Sequence, residues 1–257
     1  MRQRLHILIL IVAALALTNS LAQQSASSQS AFEQWRASRI NTFMDDFGEL
    51  ARYRAENDRL KSPAPGESRI VFFGDSITAN WALPEYFPAK PYINRGISGQ
   101  TTSQMVLRFQ QDVVALHPAA VVILAGTNDI AGNAGPISVE DIEANYTSLA
   151  QLAAANRIKL IFSSVLPVHN YTPQSQENFT TRSPQKILAL NQWLRLYSNA
   201  HGCIYLDYFQ FMVDPRGLLQ ENLAEDGLHP NKAGYKVMSR MAEDAIQKAL
   251  KNGQEPR

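Results

Sequence analysis

From Arg69 onward the chain alternates short, continuously apolar runs with longer amphipathic stretches, and this alternation limits the possible folds more than any other feature. A strand that is apolar on both faces has to be covered on both faces, and helices between successive strands of a parallel sheet supply that cover. The predicted strands are Ile70–Phe73, Tyr92–Asn94, Ala120–Leu124, Leu160–Val165 and Ile204–Leu206, and the predicted helices are Thr102–Leu116, Val139–Ala155, Pro184–Ser198 and Asn231–Leu250. The sequence therefore predicts an α/β protein with a five-stranded parallel sheet.

The first 22 residues have the pattern of a signal peptide. Arg2 and Arg4 precede an apolar run from Leu5 to Leu17, and small residues occupy the end of Ser20-Leu21-Ala22. A membrane anchor is the alternative, but the apolar run is shorter than the roughly 20 residues that cross a bilayer. We therefore expect cleavage near Ala22, a secreted or periplasmic protein, and no stable membrane insertion after cleavage.

Between the predicted signal peptide and the sheet lies a polar lead-in followed by an amphipathic helix. Aromatic and aliphatic residues recur at helical spacing from Phe32 to Leu50, and the helix is expected to end near Leu60, before the Pro- and Gly-containing segment 61–66. The predicted organisation is a signal peptide at 1–22, a lead-in, helix and linker at 23–66, and one α/β domain at 67–257. We expect no chemistry from the N-terminal helix.

Charge and cysteine content exclude several classes of function. The formal net charge is +1, and it is close to zero after removal of the predicted signal peptide, so no nucleic acid partner is expected. Cys203 is the one cysteine in the sequence, and it is expected to be a buried, inert thiol. The sequence contains no phosphate-binding loop, dinucleotide fingerprint or paired-histidine metal motif, so we expect no metal and no cofactor. The sequons at Asn145, Asn170 and Asn178 carry glycans only in a eukaryotic host.

Polar motifs follow the predicted strands at the points where the strands end. Gly74-Asp75-Ser76 follows the first strand, Gly96 lies after the second, and Gly126-Thr127-Asn128 follows the third. Asp226-Gly227-Leu228-His229 comes after the fifth. Because ligands of such sheets bind beyond the carboxyl ends of the strands, these motifs are expected to surround one site.

The residue types in these motifs fit nucleophilic catalysis. A serine hydroxyl becomes a nucleophile when a base lies within hydrogen-bond reach and a third group orients that base. Ser76 is the candidate nucleophile, His229 the candidate base and Asp226 the candidate orienting group. The backbone N–H groups of Ser76 and Gly96 and the side-chain amide of Asn128 are candidate donors to the oxyanion.

Each motif alone also has an ordinary structural explanation. Asp75 and Ser76 could cap a helix, and Gly96 and Asn128 could belong to turns. A metal site built on Asp75 and the Asp-x-x-His pair is a further alternative, but it leaves Ser76, Gly96 and Asn128 without a role. The order of the motifs, each at the end of a strand, favours the catalytic interpretation.

Taken together, the four motifs resemble those of the SGNH (GDSL-type) hydrolases. Gly74-Asp75-Ser76 matches the family's nucleophile motif, Gly96 its glycine block, Gly126-Thr127-Asn128 its Gly-x-Asn block and Asp226–His229 its Asp-x-x-His block. The resemblance extends over about 69–249. It implies a three-layer α/β/α, flavodoxin-like fold with strand order 2-1-3-4-5, and an oxyanion hole made by Ser76, Gly96 and Asn128.

The resemblance also implies an activity on esters. The family includes lipases, lysophospholipases, thioesterases, carbohydrate deacetylases and acyltransferases. We expect a serine esterase that hydrolyses small-molecule or carbohydrate esters through an acyl-enzyme on Ser76. A deacetylase of acetylated carbohydrates or wall polymers is the alternative within the class, and a non-catalytic binding module on the same fold is the alternative outside it.

The sequence also suggests where the acyl group of an ester would lie. The long loop Pro167–Pro184 is mostly polar, and its Tyr171 and Phe179 could form one wall of an acyl pocket, with Trp81 and Tyr86 as another wall or as core. A loop with so few apolar residues predicts a preference for short acyl chains. His169, in the same loop, is expected to be a solvated loop histidine.

Overall fold

The structure, a computed structural model, describes residues 31–251, which fall into two units divided after Asn41. The predicted signal peptide at 1–22 lies outside the described residues, as do the polar lead-in up to residue 30 and the C-terminal residues 252–257.

A five-stranded parallel sheet forms the centre of the second unit. The strands are β1 (Ile70–Gly74), β2 (Tyr92–Gly96), β3 (Ala120–Leu124), β4 (Lys159–Ser163) and β5 (Ile204–Leu206). Their order is β2-β1-β3-β4-β5, and each neighbouring pair is parallel. The predicted fold class and strand order are therefore confirmed.

Helices cover both faces of the sheet. The second unit contains α3 (Arg54–Arg59), α4 (Ser76–Ala79), α5 (Leu83–Tyr86), α6 (Thr102–Asp112), α7 (Thr127–Ile130), α8 (Val139–Ala155), α9 (Gln176–Thr181), α10 (Pro184–His201), α11 (Tyr208–Met212) and α12 (Lys232–Lys251). Helix α1 (Ala31–Ser38) belongs to the first unit, and α2 (Ile40–Asp45) contains the boundary between the two. Helix α8 packs between α6 and α10, whereas α12 packs on β3, β4 and β5. These contacts give the helix–sheet–helix layering that the apolar strands require.

The N-terminal amphipathic segment differs from its prediction. One helix was expected from Phe32 to about Leu60, but the structure divides this stretch into α1, α2 and α3. Gly48 and a left-handed Glu49 (φ 51°) lie between α2 and α3. The apolar residues follow helical spacing on both sides of this turn, so their periodicity alone does not show the break.

The register of the sheet brings the ends of three strands together. Gly74, the last residue of β1, pairs with Gly96 of β2 on one side and with Leu124 of β3 on the other. The side chains of β1 and β3 are buried throughout, so these two central strands form a rigid base. The loops that follow them carry the motifs singled out from the sequence.

Candidate active site

Ser76 lies at a tight turn between β1 and α4. Asp75 caps α4, and its Oδ1 accepts the backbone N–H of Ile77 at 2.9 Å. A Cβ at Gly74 would lie 2.3 Å from Thr78 Oγ1 and 2.5 Å from the Leu124 carbonyl oxygen, so only glycine fits before this turn. The Ser76 N–H has no acceptor among the described residues. It is therefore free to donate to a ligand.

The Asp-x-x-His segment brings its two polar side chains to Ser76. The Ser76 Oγ lies 2.9 Å from His229 Nε2, and His229 Nδ1 lies 2.6 Å from Asp226 Oδ2. Asp226 Oδ1 also accepts the backbone N–H groups of Leu228 and His229, at 3.0 and 2.8 Å. The three predicted catalytic side chains thus form one hydrogen-bonded chain.

The protonation of this chain follows from the Asp226 carboxylate. Burial opposes its charge, but the hydrogen bonds from the His229 ring and from the backbone outweigh burial and hold the pKa of Asp226 at about 2. An ionised carboxylate only accepts hydrogen bonds, so Nδ1 of His229 carries the proton. In the neutral form of the imidazole, Nε2 is then an acceptor for the Ser76 hydroxyl, as a general base requires.

His169 packs against the Asp-x-x-His segment and does not face solvent. The prediction that it is a solvated loop histidine is therefore wrong. Its side chain is fully buried, its ring stacks on Tyr171, and Nε2 lies 2.9 Å from the Ala224 carbonyl oxygen. Its backbone N–H donates to the carbonyl of Gly227 at 3.1 Å. Gly227 has φ 76°, and a Cβ there would lie 2.5 Å from the His169 carbonyl oxygen. The catalytic segment therefore rests directly on the loop after β4.

Asn128 lies in α7, the short helix that follows β3. It follows Gly126, whose φ of 105° lets the chain turn directly from β3 into α7. The Asn128 amide nitrogen donates to the Gln100 carbonyl at 3.0 Å, and its Oδ1 accepts from Arg182 Nη2 at 3.3 Å. Among the described residues its second amide hydrogen has no acceptor, so that hydrogen remains for a ligand.

Gly96 is placed differently from its predicted role as an oxyanion donor. Its N–H donates to Asn94 Oδ1 at 2.9 Å, so this hydrogen is already used. A Cβ at Gly96 would lie 2.2 Å from the Ala79 backbone nitrogen and 2.7 Å from the Ala79 Cα. Only a glycine at position 96 therefore allows β2 to lie so close to α4, the helix that begins with Ser76.

Gly99, three residues later, was not considered from the sequence. It has φ 79°, and its carbonyl accepts from Asn133 Nδ2 at 3.0 Å. Its own N–H has no acceptor within the part of the chain that the structure describes. It precedes Gln100, whose carbonyl holds the Asn128 amide. The sequence signal was available, because a second glycine in the same short loop often marks a left-handed turn.

Two buried charges behind the site were also missed. The carboxyl of Asp75 is fully buried, and burial raises its pKa to about 6. The guanidinium of Arg108 is fully buried as well, 4.1 Å from the centroid of the Phe73 ring. It donates to the Gly74 carbonyl at 3.0 Å, to the Arg95 carbonyl at 2.9 Å and to Asp112 at 3.1 Å. Arg108 thus ties the ends of β1 and β2 together.

The N-terminal segment, for which no role was expected, also reaches the site. Tyr53 donates its hydroxyl to the Gly96 carbonyl, and the Arg95 guanidinium lies 4.6 Å from the centroid of its ring. Asn57 accepts from Arg95 Nε at 2.9 Å. Residues around α3 therefore buttress the end of β2 from outside the sheet.

Neither a metal-binding cluster nor a membrane-spanning helix occurs in the part of the chain that the structure describes. Within 31–251, no group of three or more His, Cys, Asp or Glu side chains is placed to hold a metal ion. No helix in that range combines the length and the apolar character needed to cross a membrane. Of the three residues of the alternative metal site, Asp75 accepts the Ile77 N–H, and Asp226 and His229 are hydrogen-bonded to each other, with His229 also bonded to Ser76.

Known proteins resemble this chain in sequence and in structure. The crystal structure of a GDSL-like lipase from Bacteroides thetaiotaomicron is 41% identical, covers 80% of this chain and 100% of its own, and has a TM-score of 0.74. A candidate acylhydrolase from Bacteroides fragilis is 39% identical, covers 80% of this chain and 99% of its own, and has a TM-score of 0.75.

A curated relative matches over a shorter stretch. An uncharacterised lipoprotein of Bacillus subtilis, YqeF, is 30% identical over 122 residues, which are 40% of this chain and 50% of the relative. The chain thus spans about half the length of this curated relative. The model of the GDSL-like lipase/acylhydrolase family matches residues 72–237, which include every motif singled out from the sequence. The chain belongs to the GDSL-like lipase/acylhydrolase family.

Proposed function

We propose that this protein is a serine-dependent carboxylic ester hydrolase that forms an acyl-enzyme on Ser76. The observation that carries the proposal is the hydrogen-bonded chain from Ser76 through His229 to Asp226, next to a Ser76 N–H that has no acceptor among the described residues. A binding module of this fold would not need a serine hydroxyl, a neutral imidazole and an ionised carboxylate in this order.

The reaction follows from the positions of these groups. Ser76 Oγ attacks the ester carbonyl carbon while His229 Nε2 takes the hydroxyl proton. The tetrahedral intermediate collapses, the same proton goes to the leaving alcohol, and a water molecule repeats the sequence on the acyl-enzyme. Asp226 holds the imidazole in place and stabilises its charged form.

Three donors are assigned to the oxyanion in this proposal. Two are the Ser76 N–H and the Asn128 amide, as the family resemblance implies. The third is the Gly99 N–H in place of that of Gly96, because the Gly96 N–H donates to Asn94 Oδ1 and the Gly99 N–H has no acceptor among residues 31–251. Donors fixed in advance stabilise the negative charge that develops on the carbonyl oxygen.

The acyl group of the substrate is proposed to be short. Trp81 is 2% exposed and packs against Phe72 and Tyr208, so it belongs to the core. Tyr171 is stacked on His169, and the Arg216 guanidinium lies 4.1 Å from the centroid of its ring. Trp81 and Tyr171, two of the four aromatic candidates for an acyl pocket, are thus engaged in other contacts. Acetate to butyrate esters, including acetylated carbohydrates, fit this arrangement better than long-chain lipids.

Export is proposed from the sequence pattern alone. The predicted signal peptide at 1–22, with cleavage near Ala22, would place the enzyme outside the cytoplasm. Protein recovered from the native host would then begin at or near Gln23, as N-terminal sequencing can establish. Full-length protein in the cytosol would refute export and leave the catalytic proposal unaffected.

Replacement of the nucleophile tests the catalytic proposal. Ser76→Ala should fold normally and lose hydrolysis of nitrophenyl acetate by several powers of ten, and a fluorophosphonate probe should label the wild type on Ser76 alone. Ser148→Ala is the matched control, since Ser148 is a surface residue of α8 that only bonds to the Ala144 carbonyl. A wild type with neither hydrolysis nor labelling would support the binding-module alternative. Undiminished turnover in Ser76→Ala would refute the mechanism.

A further inference from the structure

Arg182 carries a buried guanidinium for which the reaction described above has no role. It lies between α9 and α10, is 5% exposed, and bonds to uncharged oxygens of several segments. Its Nε donates to Thr127 Oγ1 at 3.1 Å, and its Nη1 donates to Thr181 Oγ1 at 3.0 Å. Burial lowers the pKa of Arg182 to about 10, so it stays protonated at neutral pH. A buried cation is costly to maintain, so its contacts point to a specific task.

The contact with Asn128 decides how that amide is oriented. Arg182 Nη2 donates to Asn128 Oδ1 at 3.3 Å. A guanidinium has five N–H donors and no acceptor, so it tolerates only the oxygen side of an amide. A flip of the Asn128 amide would face its NH₂ group against the guanidinium and would also lose the bond to the Gln100 carbonyl. Arg182 therefore fixes the orientation that leaves one N–H free.

The same guanidinium is connected to the Asp-x-x-His segment. Arg182 Nη1 donates to Asn178 Oδ1 at 3.2 Å, and Asn178 Nδ2 donates to the Asp226 carbonyl at 3.0 Å. The orientation of the Asn178 amide is fixed by the same donor-only rule. One side chain thus separates Arg182 from the backbone of the triad carboxylate, on the side opposite Asn128.

We propose that Arg182 is a positioning residue that holds the Asn128 amide with its N–H toward the oxyanion. The proposal rests on the proposed function, since it assigns Arg182 a task in ester hydrolysis. Groups that act through another residue change the rate without touching the substrate.

A double-mutant cycle separates positioning from a general structural effect. Arg182→Met keeps the length and apolar stem of the side chain and removes the donors. We expect kcat for nitrophenyl acetate to fall between about 10-fold and 100-fold, and KM to change by less than about 3-fold. A misplaced oxyanion donor lowers the stabilisation of the transition state and leaves substrate binding unchanged. In an Asn128→Ala background the same substitution should lower kcat by less than about 3-fold, since no amide is left to orient.

Two further variants keep the cycle interpretable. Arg182→Lys retains the charge and one set of donors, so it should recover part of the lost kcat in the wild-type background and none in the Asn128→Ala background. Arg195→Met is the matched control, because Arg195 lies on the exposed face of α10, and it should have wild-type kcat. Equal losses from Arg182→Met in both backgrounds would overturn the proposal and assign Arg182 a purely structural role.

An assay that does not depend on turnover keeps this proposal separate from the proposed function. In a ¹⁵N-labelled protein, the side-chain NH₂ signals of Asn128, identified by their loss in Asn128→Ala, should shift and exchange faster with water in Arg182→Met or Arg182→Lys. Unchanged Asn128 signals would refute the orienting role even if the enzyme is active. Shifted signals in a protein without esterase activity would support the orienting role and refute the proposed function.

Discussion

Gly96→Ala is expected to damage the site without removing any catalytic group. The added Cβ would lie 2.2 Å from the Ala79 nitrogen and 2.7 Å from both the Ala79 Cα and the Thr78 carbonyl carbon, where ordinary contacts begin at 3.4 Å. All three atoms belong to the backbone of α4, so no side-chain rotation relieves the clash. Either the end of β2 or the helix that begins with Ser76 has to move by about 1 Å.

The size of the effect follows from that displacement. Overpacking of this kind costs about 1–3 kcal/mol, which lowers Tm by roughly 2–12 °C in a domain of this size. A displacement of about 1 Å between a nucleophile and its partners lowers kcat by about 100-fold. KM for a small ester should change little, because the substrate is bound by the same groups.

A second glycine provides the control that isolates the displacement. Gly202, at the end of α10, has φ 69° and no atom within 4 Å of an added Cβ. Gly202→Ala should therefore lower Tm by a few degrees through backbone strain alone, with kcat unchanged. Thermal melts measure the Tm of both variants, and nitrophenyl acetate kinetics measure their kcat. Wild-type kcat and Tm in Gly96→Ala, or an equal loss of kcat in Gly202→Ala, would refute the reasoning.

Three further predictions concern the site and its substrate. Asp226→Asn should lower kcat by about 10³–10⁴-fold at every pH above about 4, because a pKa of about 2 keeps the carboxylate ionised there, and a pH–rate profile of the variant checks this. Burial raises the pKa of Asp75 to about 6, so between about pH 4 and pH 6 the folded state holds a proton that the unfolded state releases. The free energy of unfolding of the wild type should therefore fall as the pH rises through this range. Asp75→Asn should make that fall smaller. Urea titrations at several pH values measure that slope, and a slope equal to that of the wild type would contradict the assignment. Along a series of nitrophenyl esters, kcat/KM should be highest for acetate to butyrate, and a maximum at ten carbons or more would contradict the short-acyl proposal.

The fold was predictable from the sequence because its strands are apolar on both faces. The predicted bounds of β3 and β5 agree with the structure, as do those of α8, and the other strands differ only at their ends. The largest error was in the N-terminal segment, where the sequence predicts one helix and the structure has three. There a left-handed turn at Glu49 interrupts a stretch whose apolar residues keep helical spacing on both sides.

The site was predictable as far as local motifs reach. Ser76, Asp226 and His229 come together as the motifs suggested, and Asn128 has a free amide hydrogen among the described residues. Gly96 and Gly99 show the limit of this approach. Both are glycines of one loop, and only the three-dimensional contacts show which backbone N–H is already bonded.

His169, Arg108 and Arg182 were beyond sequence reasoning for a common physical reason. Each of them bonds to oxygens from distant segments, and no spacing along the chain reveals those partners. In addition, a single histidine or arginine in a loop or helix is usually solvated in folded proteins. Their burial became visible only when the loops around the sheet were placed.

Two of the buried arginines, Arg108 and Arg182, lie where the loops leave the carboxyl ends of the strands. The loops separate there to admit a ligand, and buried oxygens of the strand ends and loops need hydrogen-bond donors. Arg108 serves the carbonyls of Gly74 and Arg95, and Arg182 serves the oxygens of the loops after β3 and β4. A guanidinium suits this place because one side chain supplies five donors in a fixed plane. Both guanidinium groups therefore bridge segments at the opening that makes room for a substrate, and that of Arg182 lies directly against Asn128, one of the groups proposed to bind the oxyanion.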